Sequence, residues 1–184
     1  MGFFSKLFGG DAAERDARRI YDRVLAQSRQ PAFYGESRFA DTYDGRIYVL
    51  TVHIAALLSA LNRFGEQGER LGQALFDVMK DDFEIALREE GLSDAGVAKR
   101  IKPMIGLFYT RVKRYAEALR GDAPTSALTN AFKESLDDAG ADTGESFAGS
   151  MASYLQAFDV MLVDKSLGEI AMARFYLPDV PVRQ

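Results

Sequence analysis

The sequence predicts an all-α fold, a single-domain bundle of about six helices around a central apolar helix. Apolar residues recur at intervals of three and four along most of the 184 residues, which is the spacing of one helix face. No segment alternates apolar and polar residues as a half-buried strand would. Hydrophobic residues make up 47% of the chain and charged residues 27%, which supplies enough apolar side chains for one core.

The first ten residues place three phenylalanines and a leucine on one side of a short helix, next to Lys6. The segment is too short to cross a membrane, which takes about 20 apolar residues, and Lys6 interrupts the apolar run of a secretory signal. It is either an interfacial anchor with a hinge at Gly9 and Gly10 or an arm packed on the protein's own core. The anchor would contact a membrane through Phe3, Phe4, Leu7 and Phe8. We therefore expect a flexible or membrane-surface segment at 1–10 and a helical domain at 11–184.

The first helix of that domain is predicted at about 11–29, with Asp11 as its N-cap and Pro31 beyond its end. Four arginines, at positions 15, 18, 19 and 23, give this helix a basic outer stripe. Residues 31–45, here called the aromatic loop, combine aromatic and turn-forming residues. Asp41, Thr42 and Asp44 can cap the helix that follows.

The second helix, at about 46–64, contains fifteen residues without a formal charge, from Ile47 to Leu61. A helix that is apolar almost all round is typical of the centre of a bundle. Because a membrane span would need more length, we predict a buried core helix.

Helices three to seven follow from the same periodicity. The third, at about 69–90, has an apolar residue at every fourth position, and the fourth runs from 93 or 94 to 119. Pro103 should kink the fourth helix or split it. The fifth and sixth are predicted at 125–138 and 145–163, on either side of the turn-rich segment 140–144. Ser166 can cap a short last helix that ends near Phe175, and the proline-containing tail 175–182 should cross the bundle in extended form.

The charge is distributed in blocks that the net value of −4 conceals. Residues 66–90 carry a net −5, residues 94–120 a net +5 and residues 121–164 a net −7. The simplest interpretation is that the acidic third helix and the basic fourth are neighbours in an antiparallel hairpin. The alternative is that the fourth helix presents its charge to ribosomal RNA, lipid headgroups or an acidic protein. The residues concerned are Lys99, Lys102, Arg111, Lys113 and Arg114.

Composition excludes most catalytic chemistry. With no cysteine and one histidine, the chain cannot form Cys/His zinc sites, iron–sulfur clusters or thiol nucleophiles, and we expect no metal and no cofactor. His53 lies within the apolar helix without a second histidine, so we interpret it as a hydrogen-bonded core residue. The slight acidic excess argues against DNA binding.

An acidic run on the third helix leaves one enzymatic alternative. Asp77, Asp81 and Glu84 share a helix face, and carboxylates one turn apart can hold a divalent cation. The chain could then be a helical binder or enzyme for an isoprenoid ligand, either a quinone or a prenyl diphosphate. The simpler interpretation is a solvated helix face.

An ordered series of short motifs between Tyr21 and Leu119 resembles one known family. The series consists of QSRQPAFY at 27–34, DTYDGR at 41–46 leading to His53, QALFD at 73–77, LRE at 87–89, VAK at 97–99 and FYTR at 108–111. These motifs have the order and spacing of the ubiquinol–cytochrome c chaperone family, helical proteins that assist assembly of the cytochrome bc1 complex.

The resemblance implies a non-catalytic chaperone that binds newly made cytochrome b. Further partners that it implies are the membrane surface, the ribosome and a small partner protein. It also implies a cytoplasmic location, peripheral at the inner face of the membrane. A membrane-tethered scaffold without a client is a third hypothesis.

The candidate client surface lies around the aromatic loop, because a client with transmembrane helices needs an apolar groove. The residues predicted to form it are Phe33, Tyr34, Phe39, Asp41, Tyr43, Asp44, Arg46 and His53. The simpler interpretation of the two aspartates is turn formation and helix capping.

Overall fold

The structure is a computed structural model, which describes residues 3–138 and 145–180. Side chains are described for all of these residues except 3–11, 135–138 and 145. Within these residues six long helices and one short helix are present. They are α1 (Phe3–Ser28), α2 (Tyr43–Leu61), α3 (Gly65–Glu89), α4 (Asp94–Arg120), α5 (Pro124–Asp138), α6 (Glu145–Val163) and α7 (Leu167–Ala171). The predicted all-α bundle is confirmed.

The start of α1 differs from the prediction. Asp11 does not cap the helix, because the helix already begins at Phe3 and continues through Gly9 and Gly10. A glycine pair costs a helix only about 2 kcal/mol relative to alanine, so it does not have to end one. The division at residue 10 therefore stays a prediction, and the side chains of Phe3, Phe4, Leu7 and Phe8 lie outside the described ones.

The helix α2 forms the centre of the molecule. Twelve of its nineteen residues are buried, and it packs against α1, α3, α4 and α6. Thr42 is its N-cap, with the Oγ1 accepting from the backbone N–H of Gly45 at 3.2 Å.

Length does not distinguish α2 from a membrane span. A short 3-10 turn at Asn62–Phe64 joins α2 to α3, so the helical stretch Tyr43–Glu89 is long and apolar enough to cross a membrane. The most apolar window of this stretch is 67% buried inside the fold. Burial therefore supports the predicted core helix, although the argument from length was wrong.

The helices α3 and α4 form the predicted antiparallel hairpin. Phe76 contacts the rings of both Phe108 and Tyr109 at centroid distances of 5.7 and 5.2 Å. Ser93 caps α4, and α4 continues without a break through Pro103. Of the two outcomes predicted at this proline, the split is wrong, because the loss of one backbone hydrogen bond on an exposed helix face leaves the rest of the ladder intact. The kink stays a prediction.

The segment after α7, residues 174–180, is here called the C-terminal strap. It follows α7, which Ser166 caps in a capping box with Glu169, and it contains no helix, strand or turn. The extended form predicted for this tail stays a prediction. Three side chains four residues apart on α1 donate to carbonyl oxygens of this region: Arg19 to Ala171 at 3.0 Å, Arg23 to Phe175 at 2.7 Å and Gln27 to Pro178 at 3.0 Å. Part of the basic stripe of α1 thus holds the C-terminal end of the chain.

Candidate functional site

The two phenylalanines of the aromatic loop lie in the core and not on a surface. Phe33 is 0% exposed and packs edge-on against His53 and Tyr154, and Phe39 is 2% exposed beside Tyr48. Their apolar rings gain more from burial than from solvent exposure. Phe33 and Phe39 therefore anchor the loop, which corrects their predicted place on a client surface.

The remaining predicted residues of the aromatic loop lie at the surface. Arg46 pairs with Asp41 at 2.7 Å, and this guanidinium lowers the pKa of the Asp41 carboxyl. The Asp44 carboxylate lies 3.7 Å from Arg100 of α4, and the Arg100 guanidinium stacks over the Tyr43 ring. These contacts favour turn formation and loop attachment as the role of the two aspartates, although the cap itself is Thr42.

Two tyrosines complete the attachment of the loop. The Tyr43 hydroxyl donates to the carbonyl of Phe83 on α3 at 3.3 Å, and the Tyr34 hydroxyl donates to the carbonyl of Ser28 at 2.5 Å. Burial raises the pKa of both hydroxyls to about 12. Both rings remain partly exposed, so Tyr34, Asp41, Tyr43, Asp44 and Arg46 stay predicted client contacts.

His53 is fully buried and satisfied by hydrogen bonds. Its Nδ1–H donates to the carbonyl of Val49 at 2.8 Å, and its Nε2 accepts from the Tyr154 hydroxyl at 2.7 Å. Gln27 in turn donates to that hydroxyl at 3.2 Å. Burial lowers the pKa of His53 to about 4. The structure thus supports the interpretation as a core residue and removes His53 from the surface where it was predicted to meet a client.

The five basic residues of α4 do not form one surface. Arg111 lies 4.4 Å above the ring centre of Tyr48, and Arg114 pairs with Glu134 of α5 at 3.5 Å. Both are therefore engaged in packing helices together. Lys99, Lys102 and Lys113 are exposed, and these three remain candidates for contact with a partner.

The acidic residues of α3 and the basic residues of α4 do not neutralise each other in the way that the sequence predicted. In the part of the chain that the structure describes, one ion pair joins α3 to α4, between Arg88 and Asp94 at 3.3 Å. The acidic helix α3 also packs on α1, where the Tyr21 hydroxyl donates to Asp82 at 2.6 Å. Neighbouring position in the hairpin is confirmed, but opposite net charge contributes little to its contact.

The acidic run on α3 does not converge on a cation site. Asp77 and Asp81 are exposed, and Glu84 lies between Lys80 at 2.8 Å and Arg88 at 3.4 Å. Among the described side chains no group of three or more His, Asp or Glu residues is arranged to hold a metal. The acidic run that motivated the isoprenoid alternative is thus a solvated helix face, in which Glu84 pairs with a lysine and an arginine of the same helix.

A cleft that the sequence interpretation missed opens between α2, α3 and α4. It has a volume of about 320 Å³ and is open to solvent. The residues that line it are Leu58, Leu61, Asn62, Gly68, Glu69, Gly72, Gln73, Phe76, Tyr109 and Val112. The signal in the sequence is the pair Gly68 and Gly72, one helical turn apart, because glycine lets two helices approach closely and leaves no side chain to fill the space between them.

Comparison with known proteins gives two findings. The model of the family described as ubiquinol–cytochrome C chaperone matches residues 36–175, about three quarters of the chain. The chain belongs to the ubiquinol–cytochrome c chaperone family. No curated protein gives a match.

A solved structure extends the similarity to nearly the whole molecule. The crystal structure of the Cbp3 homolog from Brucella abortus is 28% identical to this chain and superposes with a TM-score of 0.79. The match covers 97% of this chain and 98% of that chain.

Family membership confirms the resemblance that the motifs indicated. The family match, however, covers a different range of residues from the motifs. The family match starts at residue 36 and continues to 175, so the motif at 27–34 lies before it. The region after Leu119, where we quoted no motif, lies inside it. Helices α5 and α6 and part of the strap therefore belong to the shared family structure.

Proposed function

We propose that this chain is a non-catalytic assembly chaperone that binds newly made cytochrome b during assembly of the cytochrome bc1 complex. The observation that carries the proposal is membership of the ubiquinol–cytochrome c chaperone family over residues 36–175. Similarity to the Cbp3 homolog over 97% of the chain supports it independently. The lone histidine is buried, and Glu84 of the acidic run is paired with Lys80 and Arg88, which favours a role in binding rather than catalysis.

Co-purification from membranes tests the proposed function. A tagged chain, expressed from its own promoter in the native cells, is isolated in mild detergent and probed for cytochrome b. We expect cytochrome b to be enriched, and we expect a deletion strain to contain less assembled bc1 complex while an unrelated respiratory complex is unchanged. If cytochrome b is neither enriched with the tagged chain nor reduced in the deletion strain, the proposal is wrong.

We further propose that the chaperone works at the cytoplasmic face of the inner membrane, attached through the first ten residues. Support comes from the apolar residues of that segment, and from α1, which is helical from Phe3, as an interfacial anchor must be. Deletion of residues 2–10 should abolish flotation with vesicles of phosphatidylcholine and anionic phosphatidylglycerol. The melting temperature of the deletion variant serves as its folding control, and unchanged flotation would remove this segment from membrane contact.

A further inference from the structure

The walls of the α2–α3–α4 cleft combine apolar residues with Asn62, Glu69 and Gln73, and they include an exposed aromatic residue. Tyr109 is 53% exposed, and its ring lies against that of half-buried Phe76 at 5.2 Å, with an angle of 31° between the planes. Beneath both rings lies Phe108, which is 2% exposed and contacts each of them. Tyr109 is thus a large side chain held at the surface by buried neighbours. Tyrosines of this kind are frequent among the residues that dominate binding at protein interfaces.

The floor of the cleft depends on a glycine. A Cβ atom at Gly72 would lie 3.2 Å from Cδ2 of Leu58, so any side chain there would enter the space between α2 and α3. Residues with longer side chains, among them Leu58, Val112 and Phe76, stand around this position. The cleft is therefore a feature of the packed helices and not a gap left by one mobile side chain.

The two rims of the cleft carry opposite charge. On the α4 rim Lys102 and Lys113 lie seven residues before and four residues after Tyr109, on the same exposed helix face, and Lys113 also pairs with Glu117 of the same helix at 3.9 Å. On the α3 rim Glu69 lines the cleft, and Asp77 accepts from Gln73, another lining residue, at 2.9 Å. A partner that covers the cleft would place its own charges against both rims.

We propose that the α2–α3–α4 cleft is the docking site for an amphipathic helix of a protein partner. The apolar ridge of that helix packs on Phe76 and Tyr109, its acidic flank faces Lys102 and Lys113, and its basic flank faces Glu69. Helix-in-groove binding requires this combination of an apolar ridge and polar flanks. The inference rests on the proposed function in that the partner is taken to be the client protein.

The charges of the two rims favour an amphipathic helix over two other occupants, a transmembrane helix and a membrane surface. A uniformly apolar transmembrane helix would remove the lysines and Glu69 from water without giving them partners, which is costly. An anionic membrane surface would be attracted by the α4 rim and repelled by Glu69 and Asp77. An amphipathic helix with opposite flanks satisfies both rims.

Two labelled synthetic peptides test the site on the full-length chain. Each is about 18 residues long, roughly 27 Å as a helix, with leucines at every third and fourth position. In one peptide glutamates occupy one flank of the leucine ridge and lysines the other flank. The second peptide has the same composition and the same leucine ridge, but glutamates and lysines alternate along both flanks, so that the pair differs only in charge placement. Fluorescence anisotropy measures the binding of each peptide.

We expect the chain to prefer the first peptide by at least about fivefold, because only that peptide has one flank complementary to each rim. Lys102→Glu combined with Lys113→Glu should remove or reverse that preference, whereas Arg15→Glu combined with Arg174→Glu, at two exposed positions outside the cleft, should leave it unchanged. Tyr109→Ala should weaken binding of both peptides about 30-fold, the effect of a 2 kcal/mol interface residue. Circular dichroism of each variant verifies that it is folded.

Several outcomes would overturn the inference. They are equal affinity for both peptides, a preference that the lysine variant retains, and unchanged affinity of the Tyr109→Ala variant. Two further results would assign the cleft to another occupant: loss of binding to phosphatidylglycerol vesicles in the lysine variant with no change in peptide binding, or a dimer of the chain that Tyr109→Ala dissociates.

The failure of this inference differs from the failure of the proposed function. If the lysine and Tyr109 variants still enrich cytochrome b and restore the bc1 complex in the deletion strain, the chaperone role stands and the cleft is not its binding site. If the unchanged chain enriches no cytochrome b, the proposed function fails, whatever the peptides do.

Discussion

His53 joins four segments of the chain through one line of hydrogen bonds. Gln27 of α1 donates both to Pro178 of the strap and to Tyr154 of α6, whose hydroxyl donates to His53 of α2. The rings of Phe33 and Phe158 enclose the imidazole. The histidine thus fixes the relative positions of α1, α2, α6 and the strap, which explains a polar residue in an otherwise apolar helix.

The buried imidazole should make the protein sensitive to mild acid. Burial lowers the pKa of His53 to about 4, whereas an unfolded chain titrates near 6.5. Between these two values the unfolded state binds a proton that the folded state does not, so the free energy of unfolding falls as the pH falls. We expect a loss of about 2 kcal/mol from this residue between about pH 7 and pH 5.

Urea unfolding of the chain and of the His53→Gln variant measures this loss, because His53 is the sole histidine. Glutamine keeps a donor and an acceptor but does not titrate in this range. The variant should therefore have a flatter dependence of stability on pH than the unchanged chain. Parallel pH curves would contradict the assignment.

At the scale of the elements, the α2–α3 junction depends on close backbone approach. The chain reverses at Gly65, which has a φ of 54°, in the left-handed region that favours glycine. Three residues later, in the first turn of α3, a Cβ atom at Gly68 would lie 1.9 Å from the carbonyl oxygen of Leu61. That oxygen belongs to the backbone and cannot move aside without shifting the helix end.

Two glycine-to-alanine substitutions should therefore have opposite effects on the free energy of unfolding. Gly68→Ala should lower it by at least about 2 kcal/mol, since α2 and α3 must separate. Gly106→Ala, in α4, places its Cβ in open space and should raise it by about 0.5–1 kcal/mol through the higher helix propensity of alanine. Chemical denaturation of both variants decides the matter, and similar effects at the two positions would refute the close contact.

The C-terminal strap is an integral part of the core. Phe175 is 2% exposed, packs against Phe158 at 5.9 Å and lies under the Arg23 guanidinium. Its neighbour Tyr176 is 76% exposed. Burial along the strap recurs at Phe175 and Pro178, three residues apart, so the Phe175 ring faces the bundle and the next ring faces solvent.

Adjacent substitutions should separate these two roles. Phe175→Ala should cost about 3–5 kcal/mol, as truncation of a buried phenylalanine does, and Tyr176→Ala should change stability by no more than about 0.5 kcal/mol. Both are measured by urea unfolding at neutral pH. A small effect of Phe175→Ala would mean that the strap detaches easily and does not complete the core.

At the scale of the whole molecule, the helices share one core around α2. The strap is held by side chains of α1, so the two ends of the described chain are linked to each other. In the part of the chain that the structure describes, the buried hydrophobic residues form one core cluster, and α1, α3, α4 and α6 all pack on α2. Such an arrangement favours all-or-none unfolding.

We accordingly expect a single unfolding transition. Far-UV circular dichroism, which follows helix content, and tyrosine fluorescence, which follows packing, should give the same midpoint in urea. An earlier fluorescence transition with most of the helix retained would show that some helices separate from α2 before the rest of the fold is lost.

The sequence predicted the helices well where a local signal exists. The sixth helix was predicted with its observed bounds, and Ser166 caps the last short helix as predicted. Periodicity and capping depend on residues within a few positions of one another, so the sequence contains them directly. The cap at Asp11 and the split at Pro103 were wrong, in both cases because a helix continued through unfavourable residues.

The exposed residues of the candidate site were harder to predict from the sequence than the helices. Aromatic residues of the loop were predicted as client contacts, but burial of Phe33 and Phe39 depends on Tyr154 and Phe147, more than a hundred residues further along the chain. The α2–α3–α4 cleft likewise combines residues from three helices. The spacing of residues along the chain does not indicate which helix faces pack together. The burial of these two rings and the position of the cleft could therefore not be predicted from the sequence.

The sequence by itself determined the helical class, the central position of α2, the absence of cysteine chemistry and, through its ordered motifs, the family. These properties are local or compositional. Only the tertiary structure decided which aromatic rings are exposed, which arginines hold other helices and where an apolar cleft opens between charged rims. The physical reason is that exposure and pairing are properties of surfaces brought together by folding, and each depends on residues that are distant in the sequence.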